Sequence, residues 1–217
     1  MSLPHLILGN AVYSSWSMRP YLVLKRAGIE FTTEFVPLRT DEFRDYLPTV
    51  SPLGLVPVLK LGSDAIGDSL AISEWAAEEV SGLWPKDPVK RAQARMLAGQ
   101  MHAGFMAIRS EMPMNLRRYA EPREELDDAV VADISKLCQA WGSALSKSGG
   151  PFLFGDWSIA DAFYTPVATR FQSYDITLPP ELQMYSERLL DQPEYLAWKA
   201  IADAEDWIIE DVDQNFF

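Results

Sequence analysis

The chain has 217 residues, 48% of them apolar, with seven Trp, eight Tyr and ten Phe, enough to bury one large core or two smaller ones. A formal net charge of -12 excludes nucleic-acid binding by general phosphate neutralisation and attraction to anionic lipid. One cysteine, Cys138, excludes an intramolecular disulfide, and two distant histidines, His5 and His102, leave no zinc-ligand spacing.

The opening residues MSLPHLILGN carry no basic stretch and no long apolar core, so a cytoplasmic protein is expected. His5 to Gly9 is a short apolar run and predicts a buried strand. After a loop over Asn10 to Ser15, apolar Tyr21, Leu22, Leu24 and Ala27 predict a helix stopped at Gly28. Phe31 to Val36 is β-branched and aromatic and predicts a second strand. Asp41 to Leu47 reads as a short helix or turn. Leu55 to Leu61 and Ala65 to Ile66 read as a hairpin around Gly62-Ser63-Asp64. Ser69 to Val80 follows as a helix. A βαβ unit followed by a hairpin implies a mixed sheet with helices packed on it.

The pattern then changes. Ser81 to Pro88 holds two prolines and a glycine and reads as a linker. Beyond it only helical signals occur: Arg91 to Tyr119, with a bend at Pro113; Glu124 to Lys147; Ser158 to Tyr174, kinked at Pro166; and a last helix from Pro193. Cys138 falls on the second of these, beside Leu137 and Trp141, as a small buried hydrophobe. The layout is α/β plus all-α: an α/β domain over 1–80, a linker over 81–88 and a helical domain over 89–217.

The most informative segment is Tyr13-Ser14-Ser15-Trp16-Ser17-Met18-Arg19-Pro20. Proline has no N–H, and only the first helical residues lack an internal partner, so Pro20 is expected no deeper than N3 and the N-cap at Ser17 or later. Ser14 and Ser15 then stand in the loop, at the positive end of the helix dipole. Such a site suits an anion, and a thiolate is one. No histidine lies nearby to make either serine a hydrolase nucleophile.

These residues resemble the glutathione transferase family. Ser14 with Arg19 five residues on resembles the serine-type bacterial and zeta-like members, where the first serine contacts the glutathione sulfur. Ser14-Ser15-Trp16 resembles the zeta Ser-Ser-Cys motif with Trp16 in place of the cysteine. Leu55-Val56-Pro57-Val58-Leu59 resembles the segment whose proline is cis and whose valine pairs with the cysteinyl backbone of glutathione. Asp68-Ser69 resembles the pair that holds the γ-glutamyl end, Ser69 also capping its helix. Gly150 to Asp161, GPFLFGDWSIAD, resembles the helical-domain signature, and Ser158 to Asp161 forms a capping box there.

The resemblance implies a thioredoxin-like βαβαββα domain followed by a helical bundle, with glutathione as co-substrate, no metal and a homodimer. Ser14 and Ser15 are its catalytic candidates. Glutathione-binding candidates are Ser14, Ser15, Arg39, Val56, Pro57, Asp68 and Ser69, with Arg39 a substitute for the Lys or Gln that many relatives carry where Leu55 stands. The electrophile pocket is expected at Trp16, His102, Phe105, Met106 and Arg109. Conjugation of the thiolate to a small hydrophobic electrophile is the first functional expectation. A zeta-like isomerase of the maleylacetoacetate type, a peroxidase or disulfide reductase, and a non-catalytic member of the fold are the alternatives.

Overall fold

The computed structural model describes residues 2–117, 119, 120 and 125–213. Among the described residues four strands form one sheet in the order β2-β1-β3-β4: β1 His5–Gly9, β2 Thr32–Val36, β3 Val58–Leu61 and β4 Asp64–Gly67. β1 runs parallel to β2, with Leu8 opposite Phe35, and antiparallel to β3, with Leu6 opposite Leu59. Successive side chains of a strand point to opposite faces. Leu6 and Leu8 therefore enter the main core, while Ile7 joins Val36, Leu47 and Val58 in a smaller core on the other face.

Helices α1 Ser15–Arg26, α2 Asp41–Val50 and α3 Ser69–Glu79 complete the thioredoxin-like domain. The helical domain holds α4 Pro88–Ala103, α5 Met106–Glu111, α6 Asp128–Ser148, α7 Ile159–Ser173, α8 Pro180–Leu190, α9 Pro193–Ala204 and the short α10 Glu210–Asp213. α7 is its axis, buried along almost its whole length. Trp141 of α6 makes edge-on ring contacts with Tyr164, Phe171 and Tyr185, with centroids 5.6, 5.7 and 5.0 Å away. Truncating such a buried Trp costs about 3–5 kcal/mol.

α1 begins earlier than Pro20 predicts: its N-cap is Ser14, not Ser17, and Pro20 lies well inside the helix. Proline costs one helical bond and some steric strain, and the burial of nearly every residue from Ser15 to Leu24 outweighs that cost. α2 likewise runs on past Leu47 and through Pro48.

The helix predicted over Arg91 to Tyr119 is broken, not bent at Pro113. α4 starts at Pro88 and ends at Gly104, where a Cβ would meet the Gln100 carbonyl oxygen at 2.9 Å. Phe105 then takes a left-handed conformation with φ 59° and starts α5 in a new direction. α8 is absent from the sequence expectation, although Leu182, Tyr185, Ser186 and Leu189 bury one face at helical spacing. Glu124, the expected start of the next helix, lies outside the described residues, and α6 begins at Asp128 after an Asp127 cap.

Candidate active site

Both candidate serines stand at the amino end of α1, with different partners. Ser14 Oγ accepts from the Ser17 N–H at 3.3 Å and donates to Ser17 Oγ at 2.9 Å. Ser17 Oγ in turn accepts from the Gly9 N–H at 2.9 Å, which fastens the first turn of α1 to the end of β1. Ser14 is thus committed to a cap, a role worth about 1 kcal/mol. Ser15 is the first helical residue, and its Oγ accepts from Arg170 Nη2 at 3.3 Å.

Ser15, and not Ser14, lines a cavity of about 370 Å³ between the two domains. Trp16 stands beside it, and the ends of α4 and α5 contribute His102, Met106 and Arg109. Four of the five residues expected in the electrophile pocket therefore meet there. Phe105 does not: the break at Gly104 turns its side chain into the core. A second groove, between α4 and α6, shares no residue with this cavity and holds no serine of the Tyr13-to-Pro20 segment.

Arg109 and Arg170 line the cavity, together with Arg39. Arg109 is held by the carbonyl oxygens that end α4, with Nε 2.9 Å from Gly104 O and Nη2 on Met101 O. Arg170 bonds Met112 O through Nε at 2.8 Å and Pro166 O through Nη1 at 2.9 Å. Arg19 lies behind them, fully buried, and none of its guanidinium nitrogens has a hydrogen-bond partner among the described residues. It rests 4.4 Å from the Trp16 ring and 5.0 Å from that of Phe163. The Trp16 ring is also 4.8 Å from Arg109, so two cations share one indole. Burial, reinforced by repulsion from Arg109 and Arg170, pushes Arg19 well below the usual arginine range. Burial and Arg109 bring Arg170 down to about 10, still cationic at neutral pH.

The amino end of α3 faces this cluster. Its cap is Asp68 and not Ser69: Asp68 Oδ1 accepts from the N–H groups of Leu70 and Ala71 at 2.8 and 3.0 Å. Asp68 Oδ2 meets His102 Nε2 at 3.2 Å, and the His102 ring stands edge-on to Trp16 at 5.1 Å. Asp68, His102 and Trp16 thus form a row from α3 to α1. Burial holds His102 below the usual histidine value; Asp68 opposes the shift, and Arg19 and Arg109 add to it. The Asp68 N–H bonds Pro57 O at 3.4 Å, which places Val56 and Pro57 beside the row, and their peptide bond is cis. Ser69 Oγ is buried with no partner among the described residues. Leu55 is 62% exposed.

Arg39, at φ 65°, lines the cavity and pairs with Asp211 at 3.2 Å. Ile209 and Val212 of the C-terminal segment line it too. That segment is fastened by Glu205, which accepts from Asn10 Nδ2 at 2.9 Å and from the Ala11 N–H at 2.6 Å. Sequence reasoning missed Tyr13, Arg170, Ile209 and Val212. Arg170 carried a usable signal, a cation in an otherwise apolar helical run. The C-terminal residues carried none, because only tertiary contacts bring them to the cavity.

Comparison with known proteins bears on the same residues. The family model "Glutathione S-transferase, N-terminal domain" matches residues 13–79, the span from the serine loop to the end of α3. Relatives extend the match into the helical domain. A probable maleylacetoacetate isomerase of Caenorhabditis elegans is 29% identical over 192 residues, 84% of this chain and 86% of that one. A zeta-class glutathione S-transferase of Euphorbia esula is 29% identical over 207 residues, 88% of each chain. Residues 13–79 match a glutathione S-transferase N-terminal domain, and the chain is similar to glutathione transferases over most of its length. The fold agrees: a Burkholderia glutathione transferase homologue, solved with bound glutathione, superposes with a TM-score of 0.73 at 24% identity, over 94% of this chain and 100% of that one.

The described residues include no group of His, Cys, Asp and Glu able to hold a metal ion. No helix among them is long and apolar enough to cross a membrane.

Proposed function

We propose that the protein is a glutathione transferase that activates the glutathione thiol at Ser15 and adds the thiolate to a small electrophile carrying an anionic group. The observation that carries this reading is the position of Ser15, on the wall of an interdomain cavity, at a helix amino end and beside buried arginines. A free thiol ionises near pH 8.5. Each unit of lowering takes about 1.4 kcal/mol of preference for the anion. One charge-assisted hydrogen bond from Ser15 and the end of α1 supply about that much.

Glutathione lies, in this reading, along Val56 and Pro57, pairing its cysteinyl backbone with the entry to β3 as an added strand. The buried Ser69 hydroxyl, without a partner among the described residues, and the amino end of α3 take the γ-glutamyl carboxylate. Asp68 keeps its cap and its pairing with His102, while its negative charge attracts the γ-glutamyl ammonium. Arg39 faces the other end of the tripeptide. Ser14 supports the site by fixing the first turn of α1. The electrophile occupies the space bounded by Trp16, His102, Met106 and Arg109.

Isomerisation through reversible addition of glutathione is a second reading. The C. elegans relative's name and the arginine-rich cavity favour it, since a maleylacetone-type substrate is an anion. It needs no cysteine at position 16 if Ser15 alone holds the sulfur.

The test begins with thermal stability in millimolar glutathione, followed by turnover of matched electrophiles with and without a carboxylate, maleylacetone included. The reading expects glutathione-dependent stabilisation and a preference for the carboxylated partner. Arg109→Met should lower the kcat/KM ratio of charged to neutral substrates about tenfold. A protein that gains no stability from glutathione and turns over none of these compounds contradicts it.

A further inference from the structure

Among the described residues one side chain of the helical domain, Arg170, hydrogen-bonds the Ser15 hydroxyl. Arg170 Nη2 lies 3.3 Å from Ser15 Oγ, the one hydrogen bond of that hydroxyl among the described residues. Guanidinium donates and never accepts. Against Arg170 the Ser15 oxygen can therefore only be an acceptor, and its own proton is left to point elsewhere.

The guanidinium is not free to follow the serine. Its Nε and Nη1 are fixed on Met112 O and Pro166 O, and the residue is almost wholly buried. Pro166 matters here, because its carbonyl also accepts from Thr169 Oγ1 at 2.8 Å and so stays aimed along the helix.

We propose that Arg170 is a positioning residue: by donating to Ser15 Oγ it commits that hydroxyl to donate into the cavity, toward a sulfur anion at the amino end of α1. The proposal rests on the functional reading above and adds a residue of the helical domain to thiol activation. Ser14 has no such partner: its hydroxyl pairs with Ser17 Oγ inside the first turn of α1, and no guanidinium is bonded to it among the described residues. The other charged and titratable groups around this point are Arg19 on α1, Arg109 on α5, His102 on α4, Asp68 before α3, and Tyr13 and Arg39 on the cavity wall, with Tyr174 at the end of α7 acting on Arg170. The field of the arginines favours an anion, and Arg170 is the one of them that touches the serine.

A thiol placed at the serine reads this geometry without glutathione. In a Cys138→Ser background, Ser15→Cys is alkylated with iodoacetamide across pH, with and without Arg170→Met; circular dichroism verifies folding, and Arg170→Gln replaces Arg170→Met if the latter does not fold. The proposal expects the introduced thiol to ionise at least about one unit below 8.5, and to lose most of that shift when Arg170 is replaced. The thiolate absorbance of bound glutathione should then show Arg170→Met and Ser15→Ala raising the thiol pKa by similar, non-additive amounts. Alkylation midpoints that coincide with and without Arg170 overturn the proposal alone. An Arg170-dependent midpoint in a protein that binds no glutathione overturns the functional reading, and the proposed role toward sulfur with it.

Discussion

Tyr13 and Asp213, two hundred residues apart, share a 2.8 Å hydrogen bond that ties the C-terminal segment to the loop carrying the serines. Asn115 Nδ2 donates to the same carboxylate oxygen at 2.9 Å, and the Ile209 N–H donates to the tyrosine oxygen at 3.3 Å. The cavity wall formed by Ile209 and Val212 therefore depends on a residue of the serine loop. Burial raises the Tyr13 pKa, so the phenol stays protonated and donating at neutral pH. Tyr13→Phe should lower unfolding free energy by about 1–2 kcal/mol, seen as a lower urea midpoint. It should also raise KM for the second substrate more than for glutathione, because the loosened wall belongs to the cavity.

Asp161 joins α7 to the rest of the helical domain. Its carboxylate accepts from the Leu153 and Ser158 N–H groups at 3.2 and 2.8 Å, and from the hydroxyls of Ser158 and Tyr185 at 3.0 and 2.9 Å. In Asp161→Asn an amide N–H would face two of these donors. We expect a loss of about 3 kcal/mol by denaturant unfolding. Burial raises the Asp161 pKa from 3.8 to about 6, against the lowering effect of those hydrogen bonds. A raised pKa means that the folded state holds the proton more tightly, so the stability contributed by that proton is full below about pH 4 and fades as pH rises through 6. The gap between parent and variant should be wider at pH 5 than at pH 8, and a constant gap would count against the buried-carboxylate account.

His102 gives the opposite sign. Its folded pKa lies below the usual 6.5, chiefly through burial, so the neutral ring is preferred in the native state. Its contribution to stability is present above about pH 6.5 and is lost as pH falls below that value. The His102 imidazole signal is followed by NMR, with His5→Gln removing the other histidine from the spectrum. The His102 midpoint should fall below 6.5. A midpoint above 6.5 would mean that the pairing with Asp68 outweighs both burial and the arginines.

Much of the fold was legible because local signals agreed with the final packing. The run Leu6-Ile7-Leu8 marked β1, and Gly28, at φ 67°, stopped α1 as expected. The errors came where tertiary packing overrode a local rule. Pro20 argued for a late start to α1, yet the buried face of that helix holds it helical from Ser15. Gly104 ends α4 with no proline present, through a close approach to the Gln100 carbonyl. In the site, the serine loop, Asp68 and the cavity-lining His102 and Arg109 could be named from the sequence. Which serine faces the cavity could not, because the answer depends on where α1 starts, and packing sets that start at Ser15 with Ser14 as the cap.

The central claim, that Ser15 holds the sulfur anion while Ser14 caps the helix, is tested most directly by the pKa of the bound glutathione thiol in two variants. Thiolate absorbance against pH should show Ser15→Ala raising that pKa by about one unit or more. Ser14→Ala should leave it nearly unchanged and cost about 1 kcal/mol of stability instead. A thiol pKa that rises in Ser14→Ala and stays put in Ser15→Ala would contradict the account.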